Sequence, residues 1–348
     1  MDCTRRLAVL GDTFLDIVAP TGGDDLPTWG GDLRCNAPIS MHAGGSAQNT
    51  SAHLASLAAP GTSVSFFTAL GSDQWAKVIA GHCERVGVRL EATTLPCNTG
   101  VCIVISGRRD RGFITNYGAA ALFAAEHVRL AELAQCSHLH VGGLFSTTAL
   151  QRQLGCLLRE LRELRPSITV SLDTNFDATG DWGWEGDEAA PQKTNWLVSE
   201  ILPEIDVFLP NEIEAMGISR AASVEESLTW LAPRLRKGGL VVVTTGEDGA
   251  VARRGEDEEW STPAFEPPRG VKDTTGAGDC FNAGFLSFFL DHPDDVQGSL
   301  EFGCGAGAIA VGRVGACDHP VERGAVAALA STAAAAAAAE AEVQTLIK

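Results

Sequence analysis

The chain has 348 residues, of which 45% are apolar and 20% are charged. This composition is typical of a globular protein with a large buried core, and it excludes a disordered chain. The formal net charge of −18 disfavours nucleic acid and anionic membranes as partners. Any phosphate site must therefore be built locally, from backbone N–H groups, a few cations and metal.

The sequence shows no pattern typical of a targeting signal or of a redox motif. The N-terminal residues do not resemble a signal peptide and no segment suits a membrane span, so a cytoplasmic location is expected. The ten cysteines form no Cys-x-x-Cys pair, and several lie in apolar runs such as 101–103. This pattern favours buried reduced thiols over disulfides or a metal site.

Short β-rich runs alternate with helical stretches along most of the chain. The predicted strands cover residues 6–10, 63–69, 101–106, 139–141, 168–172, 207–209 and 240–245, and the predicted helices cover 49–57, 75–86, 150–164 and 224–235. This alternation predicts an α/β fold with a mostly parallel central sheet and helices on both faces. Ligands of such sheets bind at the carboxyl ends of the strands.

Four segments depart from this alternation within what is predicted to be a single domain, 1–348. Residues 14–42 and 95–118 lack helical patterns and contain strand-like runs, which predicts a small β-sheet lid at the edge of the main sheet. Residues 176–196 are rich in Asp, Glu, Gly and Trp and predict a long surface loop. The alanine-rich end, 325–348, predicts a C-terminal helix without chemistry.

The most informative segment reads DTTGAGD from Asp273 to Asp279, followed by phenylalanines at helical spacing. A buried helix is therefore expected to begin near Gly276. A glycine turn before a helix can direct several backbone N–H groups and the helix dipole at one anion. Asp279 in the first turn is either a helix cap or a functional carboxylate, and these residues alone leave both readings open.

Residues 273–286 resemble the second signature of the ribokinase-like carbohydrate kinases, often called the PfkB family. The resemblance implies a ribokinase-like fold and a kinase that uses ATP and Mg²⁺ to phosphorylate a substrate hydroxyl. It implies that Asp279 is the catalytic base and that the backbone of Gly276, Ala277 and Gly278 forms an anion hole. Phosphoryl transfer needs mainly positioning and charge stabilisation, so this division of roles is chemically reasonable.

Two earlier motifs are similar to the substrate-binding elements of that family. AGGSAQN at 43–49 resembles the first signature, which implies that Gly44 and Gly45 bring backbone amides to the substrate and that Asn49 hydrogen-bonds its hydroxyls. In GDTFLD at 11–16, Asp16 matches the aspartate that accepts hydrogen bonds from two sugar hydroxyls. Asp12 is the competing candidate for that role.

Two later motifs resemble the elements that hold the nucleotide and Mg²⁺. Asn211 and Glu214 match an Asn-x-x-Glu motif that organises Mg²⁺ and its waters, and a glutamate acting through water suits this ion. The loop TTGEDG at 244–249 looks like the nucleotide loop of the family, in which Thr245, Gly246 and Gly249 would bind ATP.

The same resemblance implies a monovalent cation site at Asp273 and Thr275. His319 stands where some relatives have a serine ligand, which leaves activation by K⁺ open. Ser46 replaces a lysine that ribokinases tend to carry, and Phe176-Asp177 follows a strand end where many sugar kinases have an arginine. The identity of the sugar therefore stays open.

The main prediction is an ATP-dependent kinase acting on a sugar or sugar acid, with homodimerisation through the lid left open. The first alternative is a nucleoside kinase, because aromatic residues of the lid segments would suit a base-stacking site: Phe14, Trp29, Phe113 and Tyr117. The second alternative is a non-catalytic sugar-binding protein. The intact Asp279 and Gly-Ala-Gly turn argue against it.

Overall fold

The structure is a computed structural model that describes residues 5–23, 29–107, 111–186 and 193–331. The strands of these ranges are β1 (Arg6–Gly11), β2 (Phe14–Pro20), β3 (Ser40–Gly44), β4 (Ser63–Gly71), β5 (Arg89–Leu95), β6 (Gly100–Ser106), β7 (Arg111–Asn116), β8 (His138–Gly142), β9 (Thr169–Asp173), β10 (Trp184–Glu185), β11 (Thr194–Asn195), β12 (Val207–Phe208), β13 (Leu240–Thr244), β14 (Ala250–Arg254) and β15 (Glu258–Thr262). The α-helices are α1 (Ser46–Leu57), α2 (Gln74–Arg85), α3 (Leu130–Leu133), α4 (Thr148–Gln151), α5 (Leu154–Leu164), α6 (Glu212–Ser219), α7 (Val224–Leu231), α8 (Ala277–Phe289) and α9 (Val296–Ala310). Short 3-10 turns cover Gly118–Ala120, Ala125–His127, Leu144–Ser146, Leu202–Glu204, Ala232–Arg234 and Gly246–Asp248, and a π-helical turn covers Leu197–Ile201.

A nine-stranded sheet forms the centre of the molecule, in the order β15-β14-β13-β12-β9-β8-β1-β4-β5. The strands from β13 to β5 pair in parallel, whereas β14 and β15 add an antiparallel hairpin at one edge. Strands covered on both faces carry continuous apolar runs, as in LAVL of β1. The predicted mostly parallel sheet is confirmed.

Helices cover both faces of this sheet, and the sheet separates the hydrophobic core into two layers. Alternate side chains of β1 enter opposite layers, Leu7 and Val9 with α1, α2, α8 and α9, and Ala8 and Leu10 with α5, α6 and α7. Helices α8 and α9 cross closely because Gly284 has no side chain. A Cβ atom at Gly284 would lie 2.7 Å from Cβ of Ala306.

A second, four-stranded sheet has the order β3-β2-β6-β7 and is built from both segments that the sequence singled out. Two residues separate the end of β1 from β2 of this sheet, and one residue separates the end of β3 from α1. One face buries Phe14 and Cys102. The opposite face exposes an apolar row in which Ile103 pairs with Ile114. The small sheet expected from the sequence is therefore present.

The segment predicted as a surface loop is partly folded. Asp177 accepts hydrogen bonds from the backbone N–H groups of Thr179 and Trp182, and the indole of Trp184 donates to the carbonyl of Ile218. Trp196 is 7% exposed and belongs to the core, so the prediction of a plain surface loop is wrong there.

The predicted C-terminal helix is described only in part. Residues 323–331 are helical, and residues 332–348 lie outside the described residues. Within the described ranges, every helix is too short or too polar to cross a bilayer. The nine described cysteines are free thiols, and burial raises the pKa of several of them, including Cys280 and Cys317.

Candidate active site

The DTTGAGD segment forms a glycine turn and the first turn of α8. Gly276 precedes the helix with a left-handed φ of 73°, and a Cβ atom there would lie 2.7 Å from Cβ of Ala316. Glycine is therefore required both for the backbone conformation and for the close approach. The N–H of Ala277 donates to the carbonyl of Thr274.

The next two N–H groups of α8, those of Gly278 and Asp279, have no hydrogen-bond partner among the described residues. A Cβ atom added at Gly278 would meet nothing within 4 Å, so the backbone faces open space there. Free N–H groups at a helix N-terminus attract anions because the helix dipole adds to their partial charge. This turn can therefore bind a phosphoryl group.

The carboxylate of Asp279 is buried beside this turn. It accepts a hydrogen bond of 2.8 Å from Nδ2 of Asn49 and a further one from the hydroxyl of Ser46. Burial raises the pKa of Asp279 to about 6, and the two hydrogen bonds limit the rise. The group is thus ionised near neutral pH and is basic enough to accept a proton from a hydroxyl group.

The glycines of the AGGSAQN motif allow close approach between the start of α1 and the small sheet. A Cβ atom at Gly44 would lie 2.1 Å from Oδ2 of Asp16, and Gly45 has a φ of 99°. Asn49, one turn into α1, keeps a buried Oδ1 that has no partner in the part of the chain that the structure describes. Buried polar atoms are normally hydrogen-bonded, so Oδ1 of Asn49 is free to accept a hydrogen bond from a water molecule or a ligand.

The two candidate substrate carboxylates differ in what they contact. Asp12 is 1% exposed and accepts the N–H of Ala47 over 3.0 Å, and burial raises its pKa to about 8. Asp16, on β2, is partly exposed and makes no hydrogen bond with another described residue. Burial raises the pKa of Asp16 to about 7, against the opposing charge of His42. Asp12 therefore holds the start of α1, whereas Asp16 is open to a ligand.

Asp173, at the end of β9, is a site residue to which the sequence analysis assigned no role. Its Oδ2 accepts hydrogen bonds from Asn282 at 2.7 Å and from Ser46 at 3.5 Å. Burial and then the charge of Asp279 raise the pKa of Asp173 to about 7. A signal existed for Asn282, because it is a polar residue one turn after Asp279 in an otherwise apolar helix.

Asn211 and Glu214 hold each other at the N-terminus of α6. Oε1 of Glu214 accepts from Nδ2 of Asn211 over 2.6 Å, and its Oε2 accepts the N–H of Asn211 over 3.0 Å. Oδ1 of Asn211 accepts the N–H of Glu214 in return. Burial and the charge of Asp173 raise the pKa of Glu214 well above its usual range.

This group of buried acids fits a magnesium ion. The charges of Asp173 and Asp279 raise the pKa values of neighbouring carboxyl groups, which a divalent cation would reverse. The donors are oxygens, as Mg²⁺ prefers. Among the described residues no three metal-binding side chains converge, so most ligands of such an ion would be water and phosphate oxygens.

A cavity of about 770 Å³ lies between the loop after β13 and the start of α8. Gly246 and Gly249 line it on one side, and Ala277 and Gly278 line it on the other. Its remaining wall includes apolar residues of three elements: Phe265, Phe281, Cys304, Ala308 and Val311. The volume suits a small organic ligand, and free amides at one end with apolar walls suit an aromatic phosphate compound.

Thr245 was predicted to bind ATP together with Gly246 and Gly249, but only the two glycines line the cavity. Its N–H donates to the carbonyl of Gly249 over 2.9 Å and closes the turn after β13. The neighbouring Thr244, rather than Thr245, lines the cavity.

The small sheet reaches the glycine turn before α8 through Arg111 of β7. This side chain donates to Oδ1 of Asp273 over 3.1 Å and to the hydroxyl of Thr274 over 2.6 Å. Asp273 also accepts the hydroxyl of Thr275 over 2.6 Å and the N–H of Gly315 over 3.2 Å. The two residues predicted to bind a monovalent cation are therefore hydrogen-bonded to each other. No local pattern in the sequence indicates the contact of Arg111 with Asp273.

A second contact joins the small sheet to the loop after α9. Nδ1 of His42, on β3, is hydrogen-bonded to the carboxylate of Asp318, and Nε2 is 2.6 Å from the hydroxyl of Ser40. The hydrogen bond to Asp318 raises the pKa of His42. This ion pair was not visible in the sequence because 276 positions separate its members.

Known proteins resemble this chain in both sequence and structure. The sequence model described as pfkB family carbohydrate kinase matches residues 4–323. An adenosine kinase of Schizosaccharomyces pombe is 25% identical over 265 residues, covering 72% of this chain and 74% of that protein. A ketohexokinase of Mus musculus is 24% identical over 314 residues, covering 86% of this chain and 94% of that protein.

A solved structure of Arabidopsis thaliana ribokinase complexed with ribose and ATP matches with a TM-score of 0.75 at 20% identity. The match covers 94% of this chain and 99% of that chain. The ribokinase-like fold that the sequence predicted is confirmed.

Proposed function

Because the chain belongs to the pfkB family of carbohydrate kinases, whose members phosphorylate alcohol groups, we propose that it transfers the γ-phosphoryl group of ATP to a hydroxyl of a sugar or sugar acid. One observation carries the proposal. The buried carboxylate of Asp279, with a pKa of about 6, lies beside two N–H groups of α8 that have no partner among the described residues.

Asp279 acts as the base. Its Oδ2 is held by Asn49, so the carboxylate is oriented before the acceptor binds. As the acceptor oxygen attacks phosphorus, its proton moves to Asp279. A base of moderate strength suffices when the proton leaves late in a loose transition state.

The glycine turn stabilises the charge on the transferred group. The N–H groups of Gly278 and Asp279 supply donors already fixed by the helix, with no reorganisation needed during the reaction. Gly276 provides the turn that exposes them. Ala277 contributes a lining surface, because its own N–H is bonded to Thr274.

The acceptor lies between the small sheet and α1. Asp16 accepts its hydroxyls, since its carboxylate makes no hydrogen bond with another described residue, and Oδ1 of Asn49 accepts one more. Gly44 and Gly45 supply backbone surface beside Asp16. Asp12 has a structural role because Ala47 already occupies its Oδ1.

The nucleotide occupies the cavity lined by Gly246 and Gly249, with the phosphates at the start of α8. Asn211, Glu214 and Asp173 would hold Mg²⁺ through its waters, and the ion, when bound, would neutralise charge on the phosphates.

The small sheet serves as a lid. Arg111 and His42 hold it against the catalytic turn and the loop after α9, which limits access of water to the reacting groups. Pairing of two copies through the outer face of the small sheet, activation by a monovalent cation at Asp273 and Thr275, and a cytoplasmic location all stay predictions.

A nucleoside is the second candidate acceptor. The ring centroids of Phe14 and Tyr117 lie 6.0 Å apart on the inner side of the small sheet, where a base could stack. The other two aromatic candidates, Trp29 and Phe113, are exposed, although Phe113 lies opposite Val104 on the same face of the small sheet as Phe14.

Turnover of ATP by the purified full chain, measured with a panel of acceptors, tests the proposal. Ribose, ketoses and sugar acids represent the first class of acceptor, and adenosine and inosine represent the second. Faster turnover with a sugar supports the main proposal, and faster turnover with a nucleoside supports the second candidate. No acceptor-dependent turnover with any of them would contradict both.

A further inference from the structure

A second cavity, distinct from the nucleotide cavity, lies behind the loop after α9. Its volume is about 870 Å³. Three arginines from separate parts of the chain line it: Arg85 at the end of α2, Arg269 after β15, and Arg313 after α9. The convergence of three cations is notable in a protein whose formal net charge is −18.

Two of these guanidinium groups have no carboxylate partner within the described ranges. Arg313 donates to the carbonyls of His319 and Pro320, which fixes its position without neutralising its charge. Arg269 makes no hydrogen bond or ion pair with another described residue. Both cations are thus available to an anion.

Of the other charged groups at this cavity, some already have partners within the protein. Asp318 is bonded to His42, and the guanidinium of Arg85 is 3.9 Å from Asp318 and donates to Nδ1 of His82. Glu322 lines the cavity and forms no ion pair with a described residue. A ligand that carries both an anionic group and hydroxyls would satisfy the arginines and Glu322 together.

We propose that this arginine cavity, defined by Arg85, Arg269 and Arg313, is an effector site for a small phosphate-bearing metabolite. Guanidinium groups bind phosphate and carboxylate oxygens through paired, charge-assisted hydrogen bonds, and three cations match the charge of a phosphate better than that of a single carboxylate. The volume exceeds the need of one phosphate ion and admits a phosphate ester of sugar size.

The arginine cavity and the candidate active site have no lining residue in common, but the loop after α9 connects them. The loop that carries Arg313 begins at Val311, whose carbonyl accepts the N–H groups of Lys272 and Asp273. Arg269 packs against Gly312, where an added Cβ would lie 3.1 Å from Cβ of Arg269. Val311 also lines the nucleotide cavity, so an anion at the arginines would act on the binding of nucleotide.

Binding of inorganic phosphate and of ribose 5-phosphate, measured by isothermal titration on the full chain saturated with Mg-ADP, tests the proposal. Mg-ADP fills the nucleotide cavity, and loss of affinity in the arginine variants then assigns the measured binding to the arginine cavity rather than to the acceptor site. Arg269→Gln and Arg85→Gln should each weaken binding by about tenfold. Arg159→Gln removes the same charge from α5, on the other face of the sheet, and should leave binding unchanged.

Each possible result either supports or overturns the proposal. Saturable binding that only the two cavity variants weaken supports the effector site, and the tighter of the two probes identifies the ligand as free phosphate or an ester. Absence of saturable binding overturns the proposal, as does equal weakening in Arg159→Gln, which would indicate a general effect of charge. Unchanged melting temperatures of the variants exclude unfolding as the cause. Since the readout is binding, the result does not depend on whether the proposed kinase activity is found.

Discussion

The side-chain amide of Asn49 donates a hydrogen bond of 2.8 Å to Oδ2 of Asp279, although 230 positions separate the two residues. The bond joins the start of α1 to the start of α8, so the acceptor-binding motif and the proposed base form one unit. Loss of either residue should therefore affect chemistry rather than nucleotide binding, and the first two predictions follow from this pair.

Replacement of Asp279 by Asn should lower kcat by about 10²–10⁴-fold, because the amide cannot accept the hydroxyl proton. The amide preserves size and hydrogen bonding, so binding of Mg-ADP, measured by titration calorimetry, should change less than about threefold. A variant with kcat near that of the natural protein would remove Asp279 from the role of base.

The pH profile should report the same carboxylate. Since the pKa of Asp279 is raised to about 6, the base is protonated below that pH, and log kcat, measured with saturating acceptor so that Asp16 is already engaged, should fall with a slope of about one toward acid. Asn49→Leu removes a hydrogen bond that lowers this pKa, so the acidic limb should move to higher pH. The position of the limb is the readout, because the total rate also reflects contact with the acceptor. A limb that stays in place would contradict this coupling.

Substitution of Gly44 by Ala should raise the KM for the acceptor by about tenfold or more and leave the KM for ATP nearly unchanged. The new Cβ would lie 2.1 Å from a carboxylate oxygen of Asp16, so that side chain must leave its position. Gly81→Ala is the matched control, because an added Cβ on this exposed turn of α2 meets nothing within 4 Å. Equal acceptor KM values in the two variants would argue against Asp16 as the acceptor carboxylate.

The unliganded protein should lose stability as pH rises above about 6.5. The folded-state pKa of Asp12 is raised to about 8, so the folded chain binds more protons than the unfolded chain between about pH 4 and pH 8. Each such group lowers the free energy of unfolding by about 1.4 kcal/mol per pH unit in that window. Buried histidines such as His138 and His140 have lowered pKa values and act in the opposite sense, but only below about pH 6.5.

Asp12→Asn provides the check on that prediction. The amide oxygen can still accept the N–H of Ala47 but carries no charge, so the decline of melting temperature between about pH 6.5 and pH 8.5 should be shallower. Parallel melting curves for the natural protein and the variant across this range would contradict the raised pKa of Asp12.

The sequence predicted the parallel sheet because its strands are buried on both faces and read as apolar runs, as in β1 and β13. Strand β5 was missed because RLEATTL mixes charged and apolar residues, and the hairpin β14–β15 was missed because its turn is dense in charges. Local pattern is a weak guide to edge strands, whose side chains meet both solvent and core.

The candidate site was predictable where a motif is continuous and not where it depends on tertiary pairing. Asp279 and Gly276 lie in one segment and could be found together. Arg111 and His42 acquire their partners only when the small sheet meets loops far away in the chain. Likewise, only the structure distinguishes Asp12 from Asp16, because the distinction rests on which carboxylate the start of α1 occupies.

The packing of α1 on α8 also determines when part of the surface of α1 becomes buried during translation. A ribosome-bound chain can pair β1 with β4 and β8 early, since these strands lie in its first half. The side of α1 that packs on α8 stays uncovered until translation passes Phe289 at the end of α8. Premature termination before α8 therefore leaves a chain without its proposed base and with an exposed apolar surface that promotes aggregation unless chaperones bind it.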